Sequence, residues 1–423
     1  MTRPTPAGVN VCLISRQRIT GRTNGSSVYV LGIAEHLTAQ GYKVHYLSPS
    51  PATFGRWPVI ALRPEMAVFA SIRIRGSLKL GRFLVVTDPR AAWRAGMAVL
   101  GKLFGRPGQP APYAVSVPLT AKDSAYLARH APPLADAILC DYAFLTPAIA
   151  AVGRPEAPSL VIMHDLFSAR ASQFGKLGSK DSVATISQAE EMRLLAKADL
   201  VLAIQDEEAA VVRSRLPAQA VAVVPCAVTP KDAAHPGEAD RLLFVGSKTA
   251  PNVDGLRWFL DTVWPTIRGR RPSARLTVAG SVCAEMAPPP AGVEYLGVVP
   301  DLDPLYRRAG VVISPLRAGS GLKIKLIEAL AWGKAVVATS ATAQGVRSLL
   351  QGVVPIVDEP EAFAAEILAL MDDDGARLGQ AQAALRLARH NFSAEACYRP
   401  ITDFLGCTMV RRAAAAAEPQ NAL

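Results

Sequence analysis

The chain has 423 residues, 50% of them hydrophobic and 19% charged, with a net charge of +11. At roughly 100–200 residues per domain this length favours two domains, and the apolar content excludes disorder along the whole chain. No apolar run approaches the roughly 18 residues needed to span a bilayer, and the opening MTRPTPAGVN lacks the apolar core of a secretory signal, so the sequence predicts a cytosolic protein.

Aromatics are sparse at 6%, and Ala, Val and Leu carry the apolar content, which suits helices packed on parallel strands. A first strand is expected at 9–14 (VNVCLI), followed by a polar Gly-containing loop and a helix over about 26–40 that ends at Gly41. KVHYLS supplies the next strand and completes one βαβ unit. The stretch 50–130 is rich in Pro and Arg and shows no clear period. Alternation resumes at AILCD, SLVIMHD, ADLVLAIQ and VAVVP. A polar linker, TPKDAAHPGEAD (229–240), marks a domain boundary. Beyond it come RLLFVGS, a helix over 253–268, ARLTVAGS, VEYLG, GVVISP, KAVVATS and VVPIVD, with helices at 303–309, 322–333, about 360–390 and 394–406. The expected organisation is two Rossmann-like α/β domains in tandem, 1–228 and 229–410, with a disordered tail over 411–423. The last helix is a candidate to pack back on the first domain.

The charge is uneven. Residues 1–225 hold 25 Lys and Arg against 15 Asp and Glu, whereas 226–423 hold 21 against 20. Between Arg56 and Arg106 there are ten basic and two acidic residues, interleaved with Phe54, Trp57, Phe69, Phe83, Trp93 and Phe104. Such a stretch suits an anionic membrane surface, where cations meet headgroups and aromatic rings settle at the interface; a solvated basic face explains the same composition. No nucleic-acid-binding motif accompanies it, so nucleic acid is not an expected partner. The six cysteines form no CxxC pair and the six histidines no HxxxH, so neither a disulfide framework nor a protein-bound metal is expected.

In open parallel sheets ligands bind beyond the carboxyl ends of the strands, and the candidates are the residues just after strands. The densest group is SPLRAGSGLKIKLIEALAWGKAVVAT (314–339), which leaves a strand, passes Gly319 and Gly321 and enters a helix. Glycines allow close backbone approach, and the unpaired first amides of a helix favour a phosphate. Lys323 and Lys325 add positive charge there, and Glu328 lies about one turn further on, placed to accept hydrogen bonds from ribose hydroxyls. A solvated helix start with an ordinary ion pair fits the same spacing. His164 and Asp165 end an apolar strand, where an imidazole can bridge a sugar hydroxyl or accept a proton; a structural pair capping the next helix is the other reading. Asn24, Gly25 and Ser26 open the first helix, as a phosphate or acceptor loop or as a plain tight turn. Asp301 and Asp303 form a DxD that precedes a helix, so capping is favoured over metal binding.

These passages carry a resemblance. LLFVGSKTAPNVDGLRWFLDTVWPTIR, VPDLDPLYRRAGVVISPLRAGSG and LKIKLIEALAWGKAVVATSATAQGV, covering most of 240–340, resemble the GT-B nucleotide-sugar glycosyltransferases of the group 1, or family-4-like, class. The first half is similar more loosely, through the Gly loop at 21–26 and MHD at 163–165. The resemblance implies two Rossmann-like domains facing a cleft and transfer of a sugar from a nucleotide-diphosphate donor to an acceptor hydroxyl, by a retaining course and without a cofactor. Glu328 matches the second Glu of the family's Glu-x7-Glu motif, and Lys323 and Lys325 match basic residues that neutralise the pyrophosphate. Gly246, Ser247 and Lys248 match phosphate-contacting positions. Val299 falls beside the base, and Ser320, Gly321 and Leu322 complete the donor loop. His164 or Asp165 matches a contact to the transferred sugar. The family's first Glu is absent, since position eight before Glu328 is Ser320, and of its Arg…Lys pair only Lys248 is recognisable; Lys323 then supplies the missing charge. The implied partners are a nucleotide sugar and a glycan or lipid-linked acceptor in polysaccharide or glycolipid assembly. A nucleotide-sugar epimerase and a non-catalytic nucleotide-sugar-binding protein remain open alternatives.

Overall fold

A computed structural model describes residues 8–417 apart from 24, 55–56, 91, 94–95, 98–99, 101–115, 169–185 and 320–321; at 52 and 410–417 it describes the backbone alone. Asn24, Ser320, Gly321, residues 418–423 and much of 91–106 thus lie outside the described residues. The chain divides into two compact units, Met1–Pro225 with Tyr398–Leu423, and Cys226–Cys397. The last helix runs over Ala394–Ala417, so 411–417 is helical where the sequence predicted a tail.

The first unit is built on seven parallel strands. These are β1 (Asn10–Ile14), β2 (Lys43–Ser48), β4 (Ser71–Ile74), β7 (Ala137–Asp141), β8 (Ser159–Ile162), β9 (Leu200–Ala203) and β10 (Ala220–Val223), in the order β10-β9-β8-β7-β1-β2-β4. Nearly every residue of the central strands is buried, as expected for a sheet covered by helices on both faces. The order reverses at β1: the chain first builds outward on one side through β2 and β4, then returns to build β7 to β10 on the other. The unreadable stretch 50–130 contributes β4 and a separate antiparallel sheet of β3 (Val59–Ala61), β6 (Phe83–Val86) and β5 (Ser77–Leu80). Its anchor is Asp123, which closes a capping box with Thr120 and pairs with both Arg16, at the exit of β1, and Arg75, just after β4.

Tyr398 packs against the helix Gly25–Ala39: a Cβ at Gly32 would lie 2.6 Å from its hydroxyl, so only glycine fits there.

The second unit has five parallel strands, β11 (Glu238–Val245), β12 (Arg275–Ala279), β13 (Val293–Gly297), β14 (Ala309–Ser314) and β15 (Ala335–Ala338), ordered β13-β12-β11-β14-β15. The order reverses between β11 and β14. VVPIVD does not form the expected strand; it reaches the sheet only through a single bridge between Ala338 and Ile356. The expected helix over 253–268 is broken by a π turn, Phe259–Val263, between Ala250–Trp258 and Trp264–Arg270. Pro265 explains the break, because it has no N–H and its ring crowds the carbonyl four residues back. The helix expected near 360–390 is two, Pro360–Asp372 and Asp374–Asn391, divided where the Asp373 carboxylate caps the second through the Ala376 amide at 2.8 Å.

Candidate functional site

In the second unit a cavity of about 250 Å³ opens where β11 and β14 diverge, the topological switch point of that sheet. Its walls come from the end of β11 (Phe244, Val245), the start of the helix Ala250–Trp258 (Thr249, Pro251, Asn252), the exit of β14 and the start of the helix Ile324–Ala331 (Leu322, Lys323, Lys325). The approach is tight because Gly255 permits it: a Cβ there would meet the Pro315 carbonyl at 2.6 Å. The loops after β11 and β12 also touch, and a Cβ on Gly280 would fall 2.1 Å from the Gly246 carbonyl oxygen.

Local hydrogen bonds fix these walls. The Thr342 hydroxyl donates to the Ser314 carbonyl at 2.7 Å and accepts from the Leu316 amide, while Thr339 donates to the Leu316 carbonyl. On the opposite wall Asn252 Nδ2 reaches the Ser247 carbonyl and the Thr249 hydroxyl at 3.0 and 2.9 Å. Lys323 stands at the mouth of the helix Ile324–Ala331, with its ammonium 3.1 Å from the Gly319 carbonyl. Lys325 Nζ lies 2.6 Å from Glu328 Oε2, and both side chains are partly solvated. The first turn of that helix carries no acid, so its amides and two lysines face one end of the cavity with net positive potential.

Tyr306 lines the same cavity. Its ring stacks on Trp332 at 5.2 Å, and Lys231 sits 3.8 Å over the other aromatic partner's ring while pairing with Asp303. The Tyr306 hydroxyl is buried with no hydrogen-bond partner among the described residues; burial, with the Glu328 charge, pushes its pKa well up. It is therefore a neutral hydroxyl in the cavity wall. The Asp301 carboxylate accepts the Asp303 amide at 2.9 Å, just before the helix Asp303–Arg308, whose N-cap position is Leu302.

Of the sequence-predicted donor residues, Leu322, Lys323 and Lys325 line the cavity and Glu328 joins it through Lys325. Gly246 is buried, and the exposed Ser247 and Lys248 lead on to Thr249, with the Lys248 amide donating to Ser281 Oγ. Val299 follows β13, two strands away from β14's neighbour β11, and is not part of the cavity wall. Sequence reasoning missed Thr249, Asn252 and Tyr306. The first two were detectable as a Thr-Ala-Pro helix start directly after a strand; Tyr306 carried no signal.

A second polar cluster occupies the first unit, beyond the ends of β1, β7 and β8. Asp141 is completely buried and accepts three hydrogen bonds: from Ser15 Oγ at 2.5 Å, Gln17 Nε2 at 2.8 Å and His164 Nε2 at 2.6 Å. Among the described residues His164 and Tyr142 are the two non-glycine residues with positive φ, 58° and 73°, and their rings stack at 4.0 Å. Two such backbones side by side carry strain that a plain turn does not need. Tyr29 meets the imidazole edge-on at 5.4 Å, and the Tyr142 hydroxyl donates to Ser26 Oγ at 3.0 Å. The structure thus brings His164 and Ser26 into one cluster, with Gly25 beginning the same helix. Because Asp141 holds Nε2 as the donor, Nδ1 is left as the imidazole's acceptor, a group able to take a hydrogen bond or proton from a hydroxyl.

Asp165 belongs to different surroundings. Its charge acts on Glu208, a buried acid whose pKa is raised to about 8, first by desolvation and then by Asp165. Glu191, beside them, is raised by burial and accepts the Phe167 and Ser168 amides at 2.9 Å. Among the described residues no group of three His, Cys, Asp or Glu side chains is placed to hold a metal ion.

Two units in tandem, each built on a parallel sheet covered by helices, match the GT-B fold. Solved structures share it: TarM, with a TM-score of 0.64 at 8% identity over 96% of this chain and 100% of that one; sucrose-phosphate synthase of Thermosynechococcus elongatus, 0.59 at 16% over 97% and 100%; and Anabaena HepE in complex with UDP, 0.60 at 13% over 94% and 100%. Residues 239–373 match the family "Glycosyl transferases group 1". A curated relative, the phosphatidyl-myo-inositol mannosyltransferase of Mycolicibacterium smegmatis, is 32% identical over 171 residues, 38% of this chain. That match spans 43% of the relative's length.

Proposed function

We propose that this protein is a nucleotide-sugar-dependent glycosyltransferase of the hexosyltransferase type. One observation carries the reading: the cavity at the β11–β14 switch point is bordered by a helix start and two lysines, one of which, Lys325, pairs with Glu328, the acid that the family motif assigns to the ribose. Lys323 and Lys325 neutralise the diphosphate, and Glu328 accepts from the ribose hydroxyls. Sugar transfer then breaks the bond from the anomeric carbon to the diphosphate oxygen and forms one to the acceptor oxygen. In the retaining course favoured by the resemblance, the diphosphate leaves on the face where the hydroxyl enters and takes its proton. Stabilising that leaving charge is where such sites gain most of their rate. No cofactor is required beyond the co-substrate.

The acceptor falls to the first unit, where His164, held by Asp141, is suited to a sugar hydroxyl. We assign the acceptor to a glycan or lipid-linked glycan at an anionic membrane surface, in polysaccharide or glycolipid assembly. HepE was solved with UDP, and the mycobacterial relative is named for a lipid acceptor, which supports both halves of the assignment. Among the described residues no helix is long and apolar enough to cross a membrane. The test is a thermal-shift screen of UDP-, GDP- and ADP-sugars, since a ligand bound only to the native state raises the melting temperature by mass action. One nucleotide sugar should stabilise the wild type and fail to stabilise Lys323→Ala. Stabilisation of neither by any nucleotide sugar overturns the reading.

A further inference from the structure

The antiparallel sheet β3-β6-β5 presents an outer face that is apolar throughout. Strand geometry sends alternate side chains to opposite faces. The registers place Val59, Val85 and Leu78 in one cross-strand row and Ala61, Phe83 and Leu80 in the next. The alternate residues point the other way: Ile60, Leu84 and Val86 are buried, while Ser77 and the exposed Lys79 of β5 share their rows. The outer rows are not buried: Val59 is 44% exposed, Leu78 and Leu80 54% each and Phe83 40%. Trp57, just before β3, is 53% exposed. Gly81, with φ 56°, opens the two-residue hairpin turn that joins β5 to β6.

A solvated sheet face is normally polar, so a three-stranded face carrying only apolar side chains is a surface that something covers. The surrounding charge says what. From Val59 to Arg90 the chain has six basic residues and two acidic ones. Arg75 is engaged by Asp123, whereas exposed Arg63, Arg73, Lys79, Arg82 and Arg90 form no ion pair among the described residues. Arg82, in the hairpin turn, lies 5.1 Å over the Phe83 ring. Apolar side chains rimmed by cations match a bilayer interface, where acyl chains take the first and anionic headgroups the second.

We infer that the outer face of β3-β6-β5 is a membrane-docking surface for anionic lipid. The inference rests on the membrane reading above only for the choice of lipid over protein, and its test involves no sugar. Full-length protein is sedimented with vesicles of phosphatidylcholine alone and with 30% phosphatidylglycerol, the latter a probe composition of about that fraction. The wild type should bind the anionic vesicles at least tenfold better, lose binding at high salt and shift Trp emission to the blue. Leu78→Ser/Leu80→Ser/Phe83→Ser should lower binding at least tenfold while the thermal shift by the nucleotide sugar persists. Arg82→Glu, at a solvated position over the Phe83 ring, should reduce anionic binding alone and covers the case in which the triple variant does not fold. Unchanged vesicle binding in both variants overturns the inference. So does a wild-type dimer that ignores vesicles and becomes monomeric in the triple variant, because a second copy is then the occupant.

Discussion

Lys325 Nζ and Glu328 Oε2 are 2.6 Å apart, one helical turn from each other at the rim of the second unit's cavity. The cation and the acid proposed for the donor are thus bonded to one another. Both are partly solvated, and an exposed pair of this spacing contributes about 0–1 kcal/mol to stability. A donor that draws Lys325 to its diphosphate frees Glu328 for the ribose. Glu328→Gln should therefore leave the melting temperature nearly unchanged and weaken nucleotide-sugar binding about tenfold to a hundredfold, the equivalent of a charged hydrogen bond worth roughly 1.5–3 kcal/mol. Titration calorimetry beside a melting curve separates the two effects. Undiminished affinity would show the pair to be surface decoration.

Asp141 is the converse case, a buried acid with every contact satisfied. Asparagine in its place keeps the volume and turns one acceptor into a donor facing Ser15, Gln17 or His164. Asp141→Asn should cost roughly 2–4 kcal/mol in denaturant unfolding, within the range for breaking a buried charged network. It should also lower kcat by at least tenfold with KM for the donor unchanged, since the imidazole loses its fixed tautomer. A kcat close to wild type with the stability loss present would mean that the cluster serves only the fold.

The narrowness of the cavity depends on Gly255. Its substitution by Ala would place a methyl 2.6 Å from the Pro315 carbonyl and 3.0 Å from Leu316 Cα, both backbone atoms that cannot rotate aside. Although Ala is the better helix former, Gly255→Ala should destabilise by about 1–3 kcal/mol through overpacking and weaken donor binding as the helix Ala250–Trp258 moves off the β14 exit. Chemical denaturation and the donor titration read both. A stabilised variant would show that the two segments separate freely.

Much of this was legible in the sequence because buried parallel strands read as short apolar runs: AILCD and VEYLG fall on β7 and β13 residue for residue. The loop-to-helix passage around Lys323 was legible through its Gly and Lys spacing. What was not legible has physical reasons. Strands β3 and β6 are apolar on both faces and all three of β3, β5 and β6 are only three or four residues long, so length does not mark them. VVPIVD has strand composition, but its only sheet contact is at Ile356. Asp141 and Tyr142 look like the end of a strand; only the fold reveals that the acid meets His164, 23 positions on, and that the ring stacks on it. Asp165 sits next to His164 in sequence yet belongs with Glu208 and Glu191, because a left-handed residue turns the chain between them.

That acidic neighbourhood makes stability depend on pH. Glu208 is buried, its carboxyl supported by Gln205 Nε2 at 3.4 Å, and it faces the charges of Asp165, Glu191 and Glu207. Desolvation first, and Asp165 next, raise its pKa from 4.5 to about 8, with the Leu166 amide opposing in part. The native state therefore holds a proton that the unfolded chain has released throughout the interval from about 4.5 to about 8. Stability is full below the lower value, declines as pH rises through the interval and levels off above the upper one. Glutamine mimics the protonated acid at every pH. Glu208→Gln should thus match the wild type near pH 4.5 and exceed it by roughly 2–4 kcal/mol at pH 8, each pKa unit being worth about 1.4 kcal/mol. Urea unfolding of both proteins at several pH values gives the difference directly, and groups common to both cancel from it. A difference that stays flat from pH 5 to 8 would mean that Glu208 is already ionised in the native state.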